Sequence, residues 1–168
     1  MFNHILVPLD GSDLSEKALI TARQVMAPEG TLTLLSVIDL PYVNHTQFDI
    51  PVTANLEERE GEINIARKNV QAYLRRVIAT LHLPPTIHTH LKVCIGEPGS
   101  LIPAMARTLS VDAIVMSSHG RSGLSRWIFG SITQRVLSSA LCPVVVVPRF
   151  VAVPVQTPIP HAILTPSS

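Results

Sequence analysis

The part of this sequence best suited to chemistry is a loop of small residues that joins a predicted strand to a predicted helix. The loop begins at Ser117-Ser118-His119-Gly120 and is followed, nine residues later, by Gly130-Ser131. The segment before it, Asp112–Met116, is mostly apolar, and the segment after it, Ile132–Leu141, has helical periodicity. Glycine lets the backbone approach an anion closely, and a helix N-terminus offers unpaired N–H groups with partial positive charge. This arrangement predicts a phosphate site.

Several of these residues also have a purely structural explanation. Ser131 and Gln134 have the spacing of a capping box, so Ser131 can cap its helix with or without contacting a phosphate. Asp10 follows the first apolar segment and can hold an Asx turn there. Arg121 directly follows Gly120, where it either neutralises phosphate or belongs to a solvated loop face. Both interpretations stay open for each residue.

Three familiar enzyme signatures are absent from the sequence. It contains no G-x-x-x-x-G-K-[ST] phosphate loop, no G-x-G-x-x-G after the first strand and no G-x-S-x-G elbow. No nucleophile or carboxylate can be named beside His119, so a structural or hydrogen-bonding role is favoured over base catalysis. His88 and His90 share one strand face without an evident third metal ligand. We therefore expect no catalytic residues and no protein-bound metal.

The elements that must position the loop alternate between strand and helix patterns. The predicted strands are His4–Leu9, Thr31–Ile38, Thr86–Ile95, Asp112–Ser117 and Val144–Val147. The first predicted helix begins after Ser12, and the other three cover Leu56–Leu81, Leu101–Leu109 and Ile132–Leu141. Asp13 and Glu16 have capping-box spacing at the start of the first helix. The third helix should begin near Ser100, because Pro103 is tolerated only in a first turn.

This alternation predicts the fold class and the place of the site. We expect a single doubly wound, Rossmann-like α/β domain with a five-stranded parallel sheet, strand order 3-2-1-4-5, and helices on both faces. Ligands bind such sheets at the carboxyl ends of the strands, where the strand order reverses. In this order the first and fourth strands flank that point, so Asp10 and Ser117 should meet there although they lie far apart in sequence.

Composition limits the partners and the compartment. The chain has 168 residues, of which 46% are hydrophobic and 15% charged, and its formal charge is +1. These values suit one globular domain and give no reason to expect nucleic acid or a membrane surface as a partner. The apolar stretches are too short to span a bilayer, and the N-terminus lacks the signal-peptide pattern. Two isolated cysteines, Cys94 and Cys142, are expected to be reduced, so we expect a cytoplasmic protein.

The sequence resembles the universal stress protein family. The matching segments are HILVPLDGSDLSEKAL at the start, SVID after the second strand, and DAIVMSSHGRSGLSRWIFGSITQRVLSSALCPVVVVP near the end. The resemblance covers residues 1–148 and leaves a proline-rich tail at 149–168. Nucleotide-binding members carry Gly, two residues, Gly, nine residues, Gly, then Ser or Thr. Here Gly120, Gly130 and Ser131 match this motif, whereas Ser117 replaces the first glycine.

The resemblance implies a ligand and the residues that contact it. The ligand is ATP or AMP, with Mg²⁺ accompanying ATP and held mainly by phosphate oxygens. Asp10 and Val37 are implied to contact the base and ribose, while Gly120, Gly130 and Ser131 hold the phosphates with backbone help from the next two residues. The predicted nucleotide-binding residues are Pro8, Leu9, Asp10, Val37, Met116, Ser117, His119, Gly120, Arg121, Gly130, Ser131, Ile132 and Thr133.

The last predicted strand indicates how the chain assembles. Val144–Val147 would be an apolar edge strand, which is an aggregation hazard unless it is paired or covered. Pairing with the same strand of a second chain in a two-fold dimer resolves this, and the resemblance implies the same homodimer. We therefore predict a homodimeric, adenine-nucleotide-binding stress-response regulator. The alternatives are a nucleotide-free interaction module, which Ser117 favours, and a slow ATP hydrolase.

Overall fold

The computed structural model describes residues 1–39, 56–118 and 129–148. Residues 40–55, the predicted site residues His119, Gly120 and Arg121, and the tail at 149–168 lie outside the described residues. The predicted alternation of elements is confirmed. The elements are β1 (Phe2–Pro8), α1 (Asp13–Val25), β2 (Met26–Ile38), α2 (Leu56–Thr80), β3 (His88–Ile95), α3 (Pro98–Thr108), β4 (Ala113–Ser117), α4 (Ser131–Ser139) and β5 (Val144–Val147).

The strands form one five-stranded sheet in the order β3-β2-β1-β4-β5, and every neighbouring pair is parallel. The predicted strand order is therefore confirmed. Because the strands are parallel, all their amino ends lie along one edge of the sheet and all their carboxyl ends along the opposite edge. Among the described residues, β3 and β5 each pair with a single strand and form the sides of the sheet.

Helices cover both faces of the sheet, and successive residues of β1 face different cores. Ile5 and Val7 pack in a core that includes residues of α1 and α2. Leu6 packs in a second core with residues of α3 and α4. All three side chains are fully buried. Strands buried on both faces read as continuous apolar runs, which is why the sequence revealed them.

The second strand begins earlier than predicted. It was expected at Thr31, but it starts at Met26, which pairs with Phe2. Thr31 then pairs with His4, so a step of two residues along β1 matches a step of five along β2. Gly30 is buried in this irregularity, where a Cβ would lie 2.8 Å from Met26 Cγ and 3.0 Å from a backbone oxygen of β1. The prediction failed because pairing with a distant strand, rather than local propensity, decides where β2 begins.

Two helix starts also differ from the predictions. Ser12, not Asp13, is the N-cap of α1, because its side chain accepts a hydrogen bond from the Ser15 backbone N–H at 3.2 Å. The third helix begins at Pro98 rather than near Ser100, so Pro103 lies beyond the first turn. Proline is well suited to the first helical position, and an acidic cap immediately precedes it. That cap fixes the start of α3 and overrides the argument from the internal proline.

Asp112 joins two strands at the amino edge of the sheet. The fourth strand begins at Ala113, one residue later than predicted, because Asp112 forms hydrogen bonds with the backbone of β1. Its Oδ2 accepts hydrogen bonds from the backbone N–H groups of Asn3 and His4 at 2.7 and 2.8 Å. Its own backbone N–H donates to the His4 carbonyl at 2.8 Å. These bonds satisfy the backbone of β1 where its ladder with β4 has not yet begun.

Candidate functional site

A cavity opens at the carboxyl edge of the sheet, between the ends of β1 and β4. These strands are neighbours through the pairs Ile5 with Ala113 and Leu6 with Ile114. The chain leaves β1 toward α1 and leaves β4 toward α4, so the strand order reverses between them. Asp10 and Ser117 line the same cavity, as expected for a crevice at such a reversal.

The inner part of this cavity is narrow and mainly apolar. Its volume is about 80 Å³. Its walls are supplied by the ends of β1, β2 and β4 and by the first turns of three helices. The lining residues are Pro8, Leu9, Asp10, Ser15, Leu35, Val37, Pro98, Ile102, Met116, Ser117, Ile132 and Thr133. A slot with apolar walls and a few polar groups at its mouth suits a flat, weakly polar ring.

A wider cleft of about 550 Å³ continues outward from the inner cavity. The two share Asp10, Val37, Pro98, Ile132 and Thr133. The outer cleft adds the start of α4, the end of β2 and one wall from α2. The residues that line only the outer cleft are Ser36, Ile38, Asp39, Ala66, Asn69, Val70, Gly130 and Ser131. A ligand with one apolar and one polar end can therefore extend from the inner cavity along this cleft.

The start of α4 is anchored to the end of β4, and within the described residues it receives no side-chain cap. Gly130 is the N-cap and makes no side-chain hydrogen bond to the helix, and its backbone N–H donates to the Ser118 carbonyl at 2.9 Å. The buried Thr133 hydroxyl lies 3.2 Å from the carbonyls of both Ser117 and Ser118. Ser131 is the first helical residue, so the open alternative that it caps this helix is wrong. The first turn of α4 is thus held at the cleft with backbone donors available to an anion.

Asp10 combines a structural role with a position in the cleft. Its Oδ1 accepts from the backbone N–H of Ser12 at 3.0 Å and from the Ser12 hydroxyl at 2.6 Å. This is the Asx turn that the sequence left open, and Gly11 within it has a φ of 84°. The same residue lines both the inner cavity and the outer cleft. The turn therefore fixes the carboxylate in place rather than removing it from the site.

The surroundings of Tyr73, a residue near Asp10, strongly shift the pKa of its hydroxyl group. The Tyr73 hydroxyl donates a hydrogen bond to Glu16 Oε1 at 3.0 Å. Burial raises the pKa of Tyr73 well above its usual range, and the hydrogen bond and negative charge of Glu16 act in the same direction. Tyr73 consequently stays neutral throughout the physiological range and joins α2 to α1.

The structure places most of the predicted site residues around one opening. Eight line the inner cavity, namely Pro8, Leu9, Asp10, Val37, Met116, Ser117, Ile132 and Thr133. Gly130 and Ser131 line the outer cleft. His119, Gly120 and Arg121 lie outside the described residues. The prediction missed Leu35 and Ile102 because they look like ordinary core residues, and it missed Pro98 because the start of α3 was misplaced.

Two negative findings apply to the described part of the chain. Within residues 1–39, 56–118 and 129–148, no group of three or more His, Cys, Asp or Glu side chains is arranged to hold a metal ion. Over the same ranges, no helix has both the length and the apolar character needed to cross a membrane.

The fold and cleft define a class: an α/β fold with a five-stranded parallel sheet, a cavity at its strand-order reversal and, beside it, a helix start whose N-cap is a glycine. The chain belongs to the universal stress protein family, whose family model matches residues 1–148. It is 30% identical to universal stress protein YxiE of Bacillus subtilis over 159 residues, covering 88% of this chain and 99% of YxiE. This confirms the resemblance seen in the sequence.

Solved structures show the same fold. Hypothetical protein MJ0577 superposes with a TM-score of 0.71 at 27% identity, covering 90% of this chain and 99% of MJ0577. A universal stress protein solved in complex with cAMP gives a TM-score of 0.59 at 18% identity, covering 87% of this chain and 96% of that protein.

Proposed function

We propose that this protein binds an adenine nucleotide, ATP or AMP, in the cleft between β1 and β4, and that it acts as a homodimeric regulator in a stress response. The observation that carries the proposal is a single opening with two chemically different ends. One end is an apolar slot, and the other is the N-terminus of α4, whose N-cap residue is a glycine without a capping side chain.

Each part of a nucleotide has a matching part of the cleft. The base enters the inner cavity among Leu35, Val37, Ile102 and Met116, because its faces are apolar. The ribose hydroxyls donate to the Asp10 carboxylate at the mouth of that cavity. The phosphates accept hydrogen bonds from the first-turn backbone N–H groups of α4, where the helix dipole favours negative charge. When ATP is bound, Mg²⁺ neutralises part of the phosphate charge and is held mainly by phosphate oxygens and water.

The family supplies independent support. The chain belongs to the universal stress proteins, and a protein of the same fold was solved with cAMP, which is an adenine nucleotide. At 18% identity that likeness concerns the fold, so the residues of this chain carry the argument for binding. Both described cysteines are free thiols, which is consistent with the cytoplasm as the proposed compartment.

The proposal is tested by adding a carboxylate at the start of α4. Gly130 has φ −57° and ψ 153°, a conformation that any residue adopts, so Gly130→Asp introduces no backbone strain. The new side chain is a good N-cap that accepts from the first-turn N–H groups and repels phosphate. The matched control is Ser138→Asp, which adds the same charge at an exposed position near the other end of α4.

Equilibrium dialysis with labelled ATP and AMP gives the readout. We expect Gly130→Asp to lose at least tenfold in affinity while unfolding at the same or higher urea concentration, because an acidic cap stabilises a helix. Ser138→Asp should bind like the unmodified protein. Equal affinity for all three proteins would remove the proposed site, and no binding by the unmodified protein would favour the nucleotide-free interaction module.

The proposed dimer uses β5. Among the described residues this strand pairs only with β4, and Val144, Val145 and Val146 are half-buried. Pairing with the same strand of a second copy satisfies its outer backbone groups. Light scattering should report a dimer for the unmodified protein and a monomer for Val146→Lys, with Val146→Thr as the control. A monomer at all concentrations of the unmodified protein would exclude this assembly.

A further inference from the structure

A charged link joins α3 to α4 beside the cleft. Arg135 Nη1 lies 3.1 Å from Glu97 Oε2. The same carboxylate caps α3, since its oxygens accept from the backbone N–H groups of Gly99 and Ser100 at 2.8 Å each. Burial opposes ionisation of Glu97, but these hydrogen bonds and the Arg135 charge outweigh it and hold its pKa below the usual range. The link is therefore ionised at neutral pH.

The two helices make close contact at a residue that has no side chain. Gly99 is buried, and a Cβ built there would lie 2.6 Å from Arg135 Cδ and 3.2 Å from Arg135 Cβ. The aliphatic part of Arg135 therefore passes directly over the first turn of α3. A larger residue at position 99 would displace the arginine or separate the helices.

This contact is adjacent to both walls of the cleft. Glu97 immediately precedes Pro98, which lines the inner cavity and the outer cleft. Arg135 follows Ile132 by one turn of α4, and Ile132 and Thr133 line both as well. The link therefore connects α3 and α4 at a point adjacent to both Pro98 and the first turn of α4.

We propose that Glu97, Gly99 and Arg135 form a positioning link that sets where the first turn of α4 stands, and that nucleotide affinity depends on it. The affinity part rests on the proposed function. Arg135 is 60% exposed, and ion pairs this exposed contribute little to global stability. The effect of the link is therefore on the geometry of the cleft and the order of the helix start.

The test compares three arginine variants. Arg135→Gln breaks the ion pair, and Arg135→Lys restores the charge on a long side chain. Arg107→Gln is the control, since Arg107 is exposed and lines the same groove between α3 and α4. AMP affinity is measured by titration calorimetry. Hydrogen exchange of the Gln134 amide, whose N–H donates to the Gly130 carbonyl at 2.9 Å, is measured without ligand, and urea midpoints report global stability.

We expect Arg135→Gln to bind AMP about three- to thirtyfold more weakly, with faster exchange at the start of α4 and a nearly unchanged urea midpoint. Arg135→Lys should recover most of the affinity, and Arg107→Gln should match the unmodified protein in every measurement. Unchanged exchange in Arg135→Gln would overturn the link whether or not AMP binds. Unchanged affinity, where the unmodified protein does bind, would overturn its role in the site. Absence of binding by the unmodified protein would instead count against the proposed function.

Discussion

The same substitution, glycine to alanine, should have opposite effects at two positions. Gly30 lies in the irregular part of β2, where a Cβ would be 2.8 Å from Met26 Cγ and 3.0 and 3.1 Å from the carbonyl oxygens of Asn3 and Ala27. The methionine can move, but the two backbone oxygens cannot move without shifting the strands. Gly61 lies within α2, is exposed, and has nothing within 4 Å of the position that a Cβ would take.

The magnitudes follow from these surroundings. Gly30→Ala forces a packed backbone apart, which costs about 1–3 kcal/mol. Gly61→Ala lowers the entropy of the unfolded chain and improves helix propensity, which contributes about 0.5–1 kcal/mol in the other direction. For a chain of this size, each kcal/mol shifts the melting temperature by about 2–4 °C. The two variants should therefore melt on opposite sides of the unmodified protein.

Thermal and urea unfolding followed by circular dichroism measure both effects. The slope of unfolding free energy against urea should be the same for all three proteins, so that midpoints can be compared directly. If Gly30→Ala were as stable as the unmodified protein, the close approach of Asn3 and Ala27 would not constrain the strand. If the melting temperatures of both variants shifted in the same direction, the space around each glycine would not decide whether alanine stabilises or destabilises the protein.

Three further results are expected. Thr133→Val keeps the side-chain shape but removes the buried hydroxyl that bonds the end of β4, so the unfolding free energy should fall by about 1–2 kcal/mol; an unchanged urea midpoint would show that this bond is dispensable. Ser117→Gly enlarges the inner cavity, so calorimetry should show tighter AMP binding, and equal affinity would show that this side chain does not obstruct the ligand. Burial, with nearby His90, holds the pKa of His4 below its usual value, although Asp112 acts in the opposite direction. Because the folded protein binds a proton at His4 less readily than the unfolded chain does, the free energy of unfolding should fall as the pH drops below about 6.5. His4→Gln should reduce this fall in urea midpoints measured from pH 7.5 to 5. An unchanged dependence of the midpoint on pH in His4→Gln would contradict the role given to His4.

The sequence was sufficient for the order of elements because buried parallel strands leave a signal in consecutive residues. Val144–Val147 was predicted with its observed bounds, and the prediction for the strand ending at Ser117 was one residue longer than the observed strand. The start of β2 was not predictable in this way, because Met26 joins the sheet only by pairing with Phe2. Local pattern and distant pairing are different sources of information, and only the first is readable from neighbouring residues.

The same distinction applies to the candidate site, because a local pattern reveals some of its residues and only the fold reveals the others. The end of β1 and the start of α4 carry turn and glycine patterns, so Asp10 and Gly130 were recognisable from the sequence. The walls of the inner cavity were not, because Leu35 and Ile102 differ from other core residues only in where the fold brings them. The position of Pro98 became clear only with the Glu97 cap, and Glu97 is paired with Arg135, which lies far from it along the sequence.

The parallel sheet has a practical consequence for attaching this protein to other objects. Met1 is exposed and lies at the amino edge, whereas the cleft opens at the carboxyl edge, roughly 20 Å away along a strand of this length. A dye, bead or sensor chip attached at position 1 would therefore leave the opening facing solution. Such an immobilised form could be exposed to successive small molecules without the anchor blocking their entry.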